Sequence, residues 1–146
     1  MKIRCIEYRA ISHATEDTAT VKKALENAGC IGPFQETCLT GVHHNRIVII
    51  TGEIKKQAGI KAFIRNLEEH GIMKSIESQI EERIDDDCIF HIRLSKQDAF
   101  NNRISLANDS DSIHISIHFS VFPSKKEKVI EELKRYYIEY STNNAG

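Results

Sequence analysis

The stretch Ser112–Val121, SIHISIHFSV, alternates strictly between apolar and polar side chains. Isoleucine stands at positions 113, 115 and 117, and serine or histidine stands at the positions between them. A period of two residues is that of a β-strand, because successive side chains of a strand point to opposite faces of the sheet. The stretch therefore predicts a strand with one face in a core and one polar face, which is typical of antiparallel sheets.

The rest of the chain contains further predicted strands and several predicted helices. Alternating or fully apolar runs predict five more strands, over residues 2–13, 34–42, 46–54, 88–94 and 103–107. Apolar residues at helical spacing predict helices after residues 15–17, over 56–70 and over 73–82, with a short helical turn over 96–100. A last helix follows Pro123, with a capping box of Ser124 and Glu127 and an apolar stripe of Val129, Leu133, Tyr136 and Tyr140.

The order of these elements indicates the fold class. Strands follow one another in runs instead of alternating regularly with helices, which favours an α+β fold with a mainly antiparallel sheet. A length of 146 residues fits one domain with one core, and the chain contains no repeat or linker. The sequence therefore predicts a single domain over residues 1–146, with its sheet packed against helices.

Composition restricts the classes of function. The chain has 20 basic and 21 acidic residues, so a role with nucleic acid has to rest on a local basic patch. No apolar run is long enough to span a membrane, and no secretory signal pattern opens the chain. The four cysteines form no C-x-x-C pair, which argues against a zinc ribbon. These features predict a cytoplasmic protein with reduced thiols and no membrane association.

One polar, basic insert stands between two predicted strands in Arg83–Ala107, RIDDDCIFHIRLSKQDAFNNRISLA. The insert, residues 93–97, contributes the candidate site residues Arg93, Lys96 and Gln97, and the predicted strand 103–107 contributes a fourth, Arg103. Arginine and lysine suit phosphate oxygens, and glutamine can read a base edge or a ribose hydroxyl. The alternative interpretation, equally open at this point, is that the basic side chains pair with nearby acids such as Asp86 and Asp98.

Two other groups of residues suggest binding chemistry. Lys56, Lys61 and Arg65 stand along one predicted helix and could contact phosphates, although a solvated helix face partly neutralised by glutamates is the more common arrangement. His13 could meet His43 and His44 if the loop after the first strand approaches the hairpin turn. Three imidazoles can bind zinc, but no carboxylate or cysteine stands near them at ligand spacing, so neither a metal nor a cofactor is expected.

The stretch RIDDDCIFHIRLSKQDAF, with the later RISLA and DSIHISI, resembles an archaeal RNA-binding family described as predicted exosome subunits. Its R-x-x-K-Q-x-A motif is matched by Arg93, Lys96, Gln97 and Ala99, and its early H-A-T-E segment by residues 13–16. A central turn of the family is matched in part by Gly41-Val42-His43-His44-Asn45. The resemblance implies a curved antiparallel sheet like that of ribosomal protein L-five and a role with RNA.

The expectation is therefore a non-catalytic RNA-binding protein, which the resemblance places with RNA-processing machinery such as the archaeal exosome. The predicted RNA contacts are Arg93, Lys96, Gln97 and Arg103, aided by His43, Asn45, Lys56 and Lys61. One alternative is a protein-interaction module that docks a partner on the polar sheet face or on an edge strand. A further alternative is a metal-dependent hydrolase that uses the three histidines at positions 13, 43 and 44.

Overall fold

Five strands form one antiparallel sheet in the order β2-β3-β1-β5-β4. The structure is a computed structural model that describes residues 3–41, 45–109, 111–120 and 126–144, with only the backbone described for 136–144. The strands are β1 (Ile3–Ser12), β2 (Gln35–Thr40), β3 (Arg46–Ile54), β4 (Ile89–Ser95) and β5 (Ser112–Phe119). The helices are α1 (Thr18–Asn27), α2 (Gln57–Glu69), α3 (Ile72–Ile76), α4 (Ile80–Arg83), α5 (Lys96–Phe100) and α6 (Lys126–Asn144).

The helices bury their apolar side chains against one face of the sheet. A single core cluster joins alternate residues of the strands, such as Ile6, Ile50, Ile92 and Ile115, to side chains from all six helices. The intervening strand residues lie on the opposite face, which none of the described helices covers. The predicted α+β fold with an antiparallel sheet is confirmed, while the closer likeness to ribosomal protein L-five stays a prediction.

The local signals for several elements act as the sequence predicts. The Asp17 side chain accepts a hydrogen bond from the Ala19 N–H and caps α1, because the first N–H groups of a helix have no partner within it. Gly29 ends that helix with a φ of 94°, a conformation that favours glycine. The fully apolar Ile47–Ile50 run lies in β3, which is paired on both sides and is therefore internal.

Two predicted elements differ in the structure. The segment 103–107 is not a strand: it lies along the outer edge of β4 with one isolated bridge, Leu94 to Leu106. The tight turn after α5, with Asn102 at a φ of 60°, leaves it only two backbone hydrogen bonds to β4. The predicted helix over 73–82 is instead α3 and α4, separated by a short 3₁₀ turn.

Isoleucines at positions 72, 76, 80 and 84 explain this break. A spacing of four residues drifts by about 40° per step around a straight α-helix, because one turn holds 3.6 residues. By the fourth isoleucine the stripe would have turned about 120° away from the core. With the helix broken, all four isoleucines are buried.

Some expectations from the sequence concern residues outside those that the structure describes. The Ser124 of the predicted capping box, together with His43 and His44, lies outside the described residues, and so do the side chains of Tyr136 and Tyr140. Val129 and Leu133 of the same helix are buried as predicted. Among the described helices, none is both long and apolar enough to cross a membrane.

Replacement of Gly52 by alanine tests the packing at the centre of the sheet. Gly52 faces Tyr8 across the β1–β3 pair, and an added Cβ would lie 2.7 Å from Cε2 of the tyrosine ring. The ring is held in place because its hydroxyl donates to the Ile31 carbonyl. We expect Gly52→Ala to lower the free energy of unfolding by about 1–3 kcal/mol in urea denaturation.

Gly32→Ala is the control for this substitution, since a Cβ there would meet only the Phe34 backbone nitrogen at 3.5 Å. Equal unfolding free energies for the two variants would contradict the proposed overlap with Tyr8.

Candidate functional site

Lys96, a predicted RNA contact, is a buried residue that holds three parts of the chain together. Its ammonium group donates to the Ile11 carbonyl at 2.7 Å and to Glu16 Oε1 and Asp111 Oδ1, both at 2.8 Å. An ammonium group has three N–H donors, so all of them are used. With 8% of the residue exposed, this geometry argues against the predicted contact of Lys96 with RNA.

The other predicted contacts do not form one patch. Gln97 is exposed and lines a cavity of about 620 Å³ whose charged residues are mostly acidic. Arg103 is exposed too, and its guanidinium lies 3.9 Å from Asp98 Oδ1, as the alternative interpretation anticipates. Asn45 and Lys61 are exposed but line neither this cavity nor the larger groove described below.

The hypothesis of a histidine metal site finds little support at His13. Its Nε2 atom lies 3.1 Å from Asp111 Oδ1, beside the Lys96 ammonium. His13, Glu16 and Asp111 have ligand atoms close enough to surround a cation. The ammonium already occupies the space between Glu16 and Asp111, however, and its charge disfavours a metal ion there.

Arg93 lies in a different environment, on the open face of the sheet. Strand register places it opposite His114 of β5, and His114 opposite Arg9 of β1. The same row continues through Thr51 of β3 to Gln35 of β2. We call Arg9, Arg93, His91, His114 and Ser116 the open-face cluster.

The two arginines of this cluster are available to a ligand. Both are exposed, and among the described residues no carboxylate lies within salt-bridge distance of either guanidinium. Their strands are separated by β5 alone, so their Cα atoms are about 10 Å apart. Two unpaired guanidinium groups at this separation can contact different phosphates of one nucleic-acid strand.

The two histidines form a hydrogen-bonded chain that ends on an aspartate. His91 Nε2 lies 2.7 Å from Asp85 Oδ2 and donates to it, so His91 Nδ1 is an acceptor when the ring is neutral. His114 Nε2 lies 3.0 Å from that atom and is then the donor. Partial burial acts to raise the pKa of Asp85, but hydrogen bonds from His91 and from the Ile89 and Asp87 N–H groups lower it overall.

The environment of His114 favours its neutral form. Burial lowers the pKa of this imidazole below its ordinary value of 6.5, and the nearby His91, Arg93 and Arg9 lower it further. A neutral imidazole presents a flat ring beside two guanidinium planes. Such rings and guanidinium planes are the groups on which unpaired RNA bases stack.

A groove of about 980 Å³ adjoins the open-face cluster. It contains Arg9, His114 and Ser116 of that cluster, together with Lys55 and Lys56 just before α2. Among the residues of the predicted set that the structure describes, Lys56 alone lines this groove. The groove connects the basic start of α2 with the open face of the sheet.

Sequence reasoning missed Arg9, His91 and His114 as site residues. The signal available was the alternation in β1 and β5, which places Arg9 and His114 on polar faces. Alternation does not show which strands are neighbours in the sheet. The sequence therefore did not predict that these side chains lie close to Arg93.

Comparison with known proteins identifies the family. A family model described as RNA binding matches residues 5–119. An RNA-binding protein of Pyrococcus abyssi is 32% identical over 142 residues, covering 90% of this chain and 91% of that protein. The chain belongs to this RNA-binding family. The predicted resemblance to an archaeal RNA-binding family is therefore confirmed, and every member of the open-face cluster lies within the matched residues.

Solved structures agree with this membership in the RNA-binding family. A DUF54 protein of Archaeglobus fulgidus is 31% identical, with a TM-score of 0.82 over 92% of this chain and 99% of that one. A DUF54 protein of Methanothermobacter thermautotrophicus has a TM-score of 0.80 over 91% of this chain and 96% of that one. At 24% identity, the second likeness concerns the fold alone.

Substitution of Arg93 tests the electrostatics of the open-face cluster. Arg93→Ala removes one cation beside His114, so we expect the pKa of His114 to rise toward 6.5. The charged and titratable groups that remain around the ring are Arg9 and His91, the latter bound to Asp85. NMR titration of the histidine ring protons measures the change. A His114 pKa that moves no more than in Lys23→Ala, an exposed change on α1, would refute this arrangement.

Substitution of Lys96 tests its structural role. Lys96→Met leaves Glu16 and Asp111 without their shared cation, and we expect it to lower the free energy of unfolding by about 2–3 kcal/mol. Hydrogen bonding to Lys96 is the main cause that lowers the pKa of Asp111 below its ordinary value of 3.8. The stabilisation from the Asp111–Lys96 contact is therefore present above pH 3.8, and it is lost as the pH falls through the pKa of Asp111 in the folded protein.

Urea denaturation at neutral and acidic pH measures both effects. The exposed Lys74→Met serves as the matched control, with an expected change within about 0.5 kcal/mol. An unfolding free energy of Lys96→Met close to that of the control at neutral pH would be inconsistent with this role.

Proposed function

We propose that the chain binds RNA through the open face of its sheet and catalyses no reaction. The observation that carries the proposal is the row in which Arg9 and Arg93 flank His114, with both guanidinium groups unpaired among the described residues. Membership in the RNA-binding family and the named RNA-binding relative in Pyrococcus abyssi support it.

The parts of the open-face cluster have different roles in this proposal. Arg9 and Arg93 contact phosphate oxygens, because guanidinium groups pair with them through two hydrogen bonds. The His91 and His114 rings, 5.1 Å apart between centroids, offer surfaces for base contacts. Gln97 and Arg103, beyond the end of β4, stay predicted RNA contacts, while Lys56 extends the contact through the groove.

The proposal includes a cellular setting that rests on the resemblance alone. We propose that the protein acts in the cytoplasm of an archaeon, together with RNA-processing machinery such as the exosome. His43, Asn45 and Lys61 stay predicted RNA contacts, and Asn45 and Lys61 have exposed side chains that permit such a role.

Substitution of the two arginines tests RNA binding directly. We expect Arg9→Ala and Arg93→Ala each to weaken binding about tenfold, since a hydrogen-bonded charge is lost in each case. Each should also reduce the slope of log affinity against log salt by about one contact. Fluorescence anisotropy with labelled unpaired and duplex RNA, at several salt concentrations, measures both quantities.

Lys23→Ala is the matched control, because it removes one exposed positive charge from α1, in the helical layer. The proposal fails if the unaltered protein binds no RNA at low salt, or if both arginine variants bind as Lys23→Ala does.

A second candidate function, a protein-interaction module, is favoured by one observation. An apolar patch lies on the open face beside Arg9 and extends to the β2 edge, where Ile11 pairs with Ile49 and Leu39 with Ile47. Leu39 is 49% exposed on the edge strand β2. Absence of RNA binding, together with a partner from native lysate that nuclease does not release, would favour this alternative.

A further inference from the structure

The groove beside the open-face cluster exists because β2 is shorter than β3. Pairing between these strands begins at Gln35 and Thr51, whereas β3 continues to Ile54. The edge of β3 over residues 52–54 is therefore left without β2. Residues 31–33, which precede β2, lie beside this opening together with the start of α2.

Two kinds of side chain line the groove. Ile31 is 51% exposed there, with Pro33 beside it, and its carbonyl is held by the Tyr8 hydroxyl. Arg9 and Lys56 provide positive charge, and among the described residues neither is in an ion pair. A fixed apolar surface close to unpaired cations suits a ligand with one flat apolar part and one anionic part.

Of the two acidic side chains of the groove, one forms an ion pair and the other lies beside a histidine. Glu53 Oε1 lies 3.2 Å from Lys55 Nζ, and Glu7 Oε1 lies 3.3 Å from His118 Nε2. Lys55 is therefore occupied by Glu53. The cations left for an anionic ligand in the groove are Arg9 and Lys56.

We propose that this groove binds one unpaired nucleotide of the RNA, a specificity that rests on the proposed RNA-binding function. The base lies against Ile31 and Pro33, and its phosphate contacts Arg9 and Lys56. The Gln35 side chain, at the same opening, is placed to hydrogen-bond a base edge. The volume of about 980 Å³ is at the upper end of small-ligand sites.

The proposal separates unpaired from duplex RNA. A base enters such a groove only when it is out of its stack, which costs least in a strand that is already unpaired. A duplex offers phosphates and hydroxyl groups to the open face but no free base for Ile31. Unpaired RNA therefore gains contacts that duplex RNA lacks.

Substitution of Ile31 tests the groove with hexauridylate as the unpaired probe and a blunt self-complementary RNA as the duplex probe. We expect the unaltered protein to bind hexauridylate about tenfold more tightly than the duplex. Ile31→Ser should reduce that affinity about five- to tenfold and leave duplex binding unchanged. Phe100→Ser is the matched control, because Phe100 is 45% exposed on α5 and lies outside both the groove and the open face, so hexauridylate affinity should not change.

Lys56→Ala provides a second variant should Ile31→Ser fail to fold, with the exposed Lys74→Ala as its control. We expect Lys56→Ala to weaken hexauridylate binding more than duplex binding. Equal hexauridylate affinities of Ile31→Ser and Phe100→Ser, or of the two lysine variants, would overturn the groove proposal.

The outcomes distinguish the two proposals. If Arg9→Ala and Arg93→Ala weaken binding while the groove variants behave as their controls, the open face binds RNA and the groove proposal is rejected. If the duplex binds as tightly as hexauridylate, the groove proposal is also rejected. If neither RNA binds at low salt, both proposals are rejected.

Discussion

The burial of one sheet face, and only one, is the constraint on which the rest of the structure depends. Side chains of a strand alternate between faces, so the register that places Ile6, Ile50 and Ile115 in the core fixes the residues between them on the open face. A slip of one residue in β1, β4 or β5 would expose buried isoleucines and turn arginines or histidines toward the core. The energy of the core therefore holds Arg9, His114 and Arg93 in one row, although no hydrogen bond joins the arginines to the histidine.

Arg93 and Lys96 are only three residues apart, yet the fold gives one an exposed position and the other a buried structural role. Arg93 is on the open side of β4, whereas Lys96 follows the end of that strand as the first residue of α5. Lys96 continues the alternation that buries Ile92 and Leu94, so its side chain points inward, where Glu16 and Asp111 neutralise it. Lys96 thus ties the end of β1 and the segments before α1 and β5 together, close to the edge where Arg93 is presented.

Local patterns in the sequence were sufficient to predict most of the strands and helices. Strict alternation identifies β5, the all-apolar run at 47–50 identifies an internal strand, and the short helix after β4 follows from its own residues. The segment 103–107 has the composition of a strand, but its place beside β4 leaves it only one bridge. Neighbouring strands are set by contacts between distant parts of the chain, so the sequence could not place Arg9 near Arg93. The sequence also could not show whether Lys96 is buried between two acidic side chains or exposed and able to bind a ligand.

The low charge of the open face restricts how the protein can bind RNA. Burial, with the nearby His91, Arg93 and Arg9, lowers the pKa of His114 and favours its neutral form, so His114 contributes a ring to the site and little positive charge. Two or three phosphate contacts give a salt dependence much shallower than that of proteins that neutralise six to ten phosphates. Electrostatic attraction alone is therefore weak, in keeping with a net charge of −1. Affinity then has to come from contacts with the bases, or from a partner that holds the RNA at the same time. Affinity from contacts with the bases favours unpaired RNA, because only unpaired bases expose the flat faces that the histidine rings and Ile31 can contact.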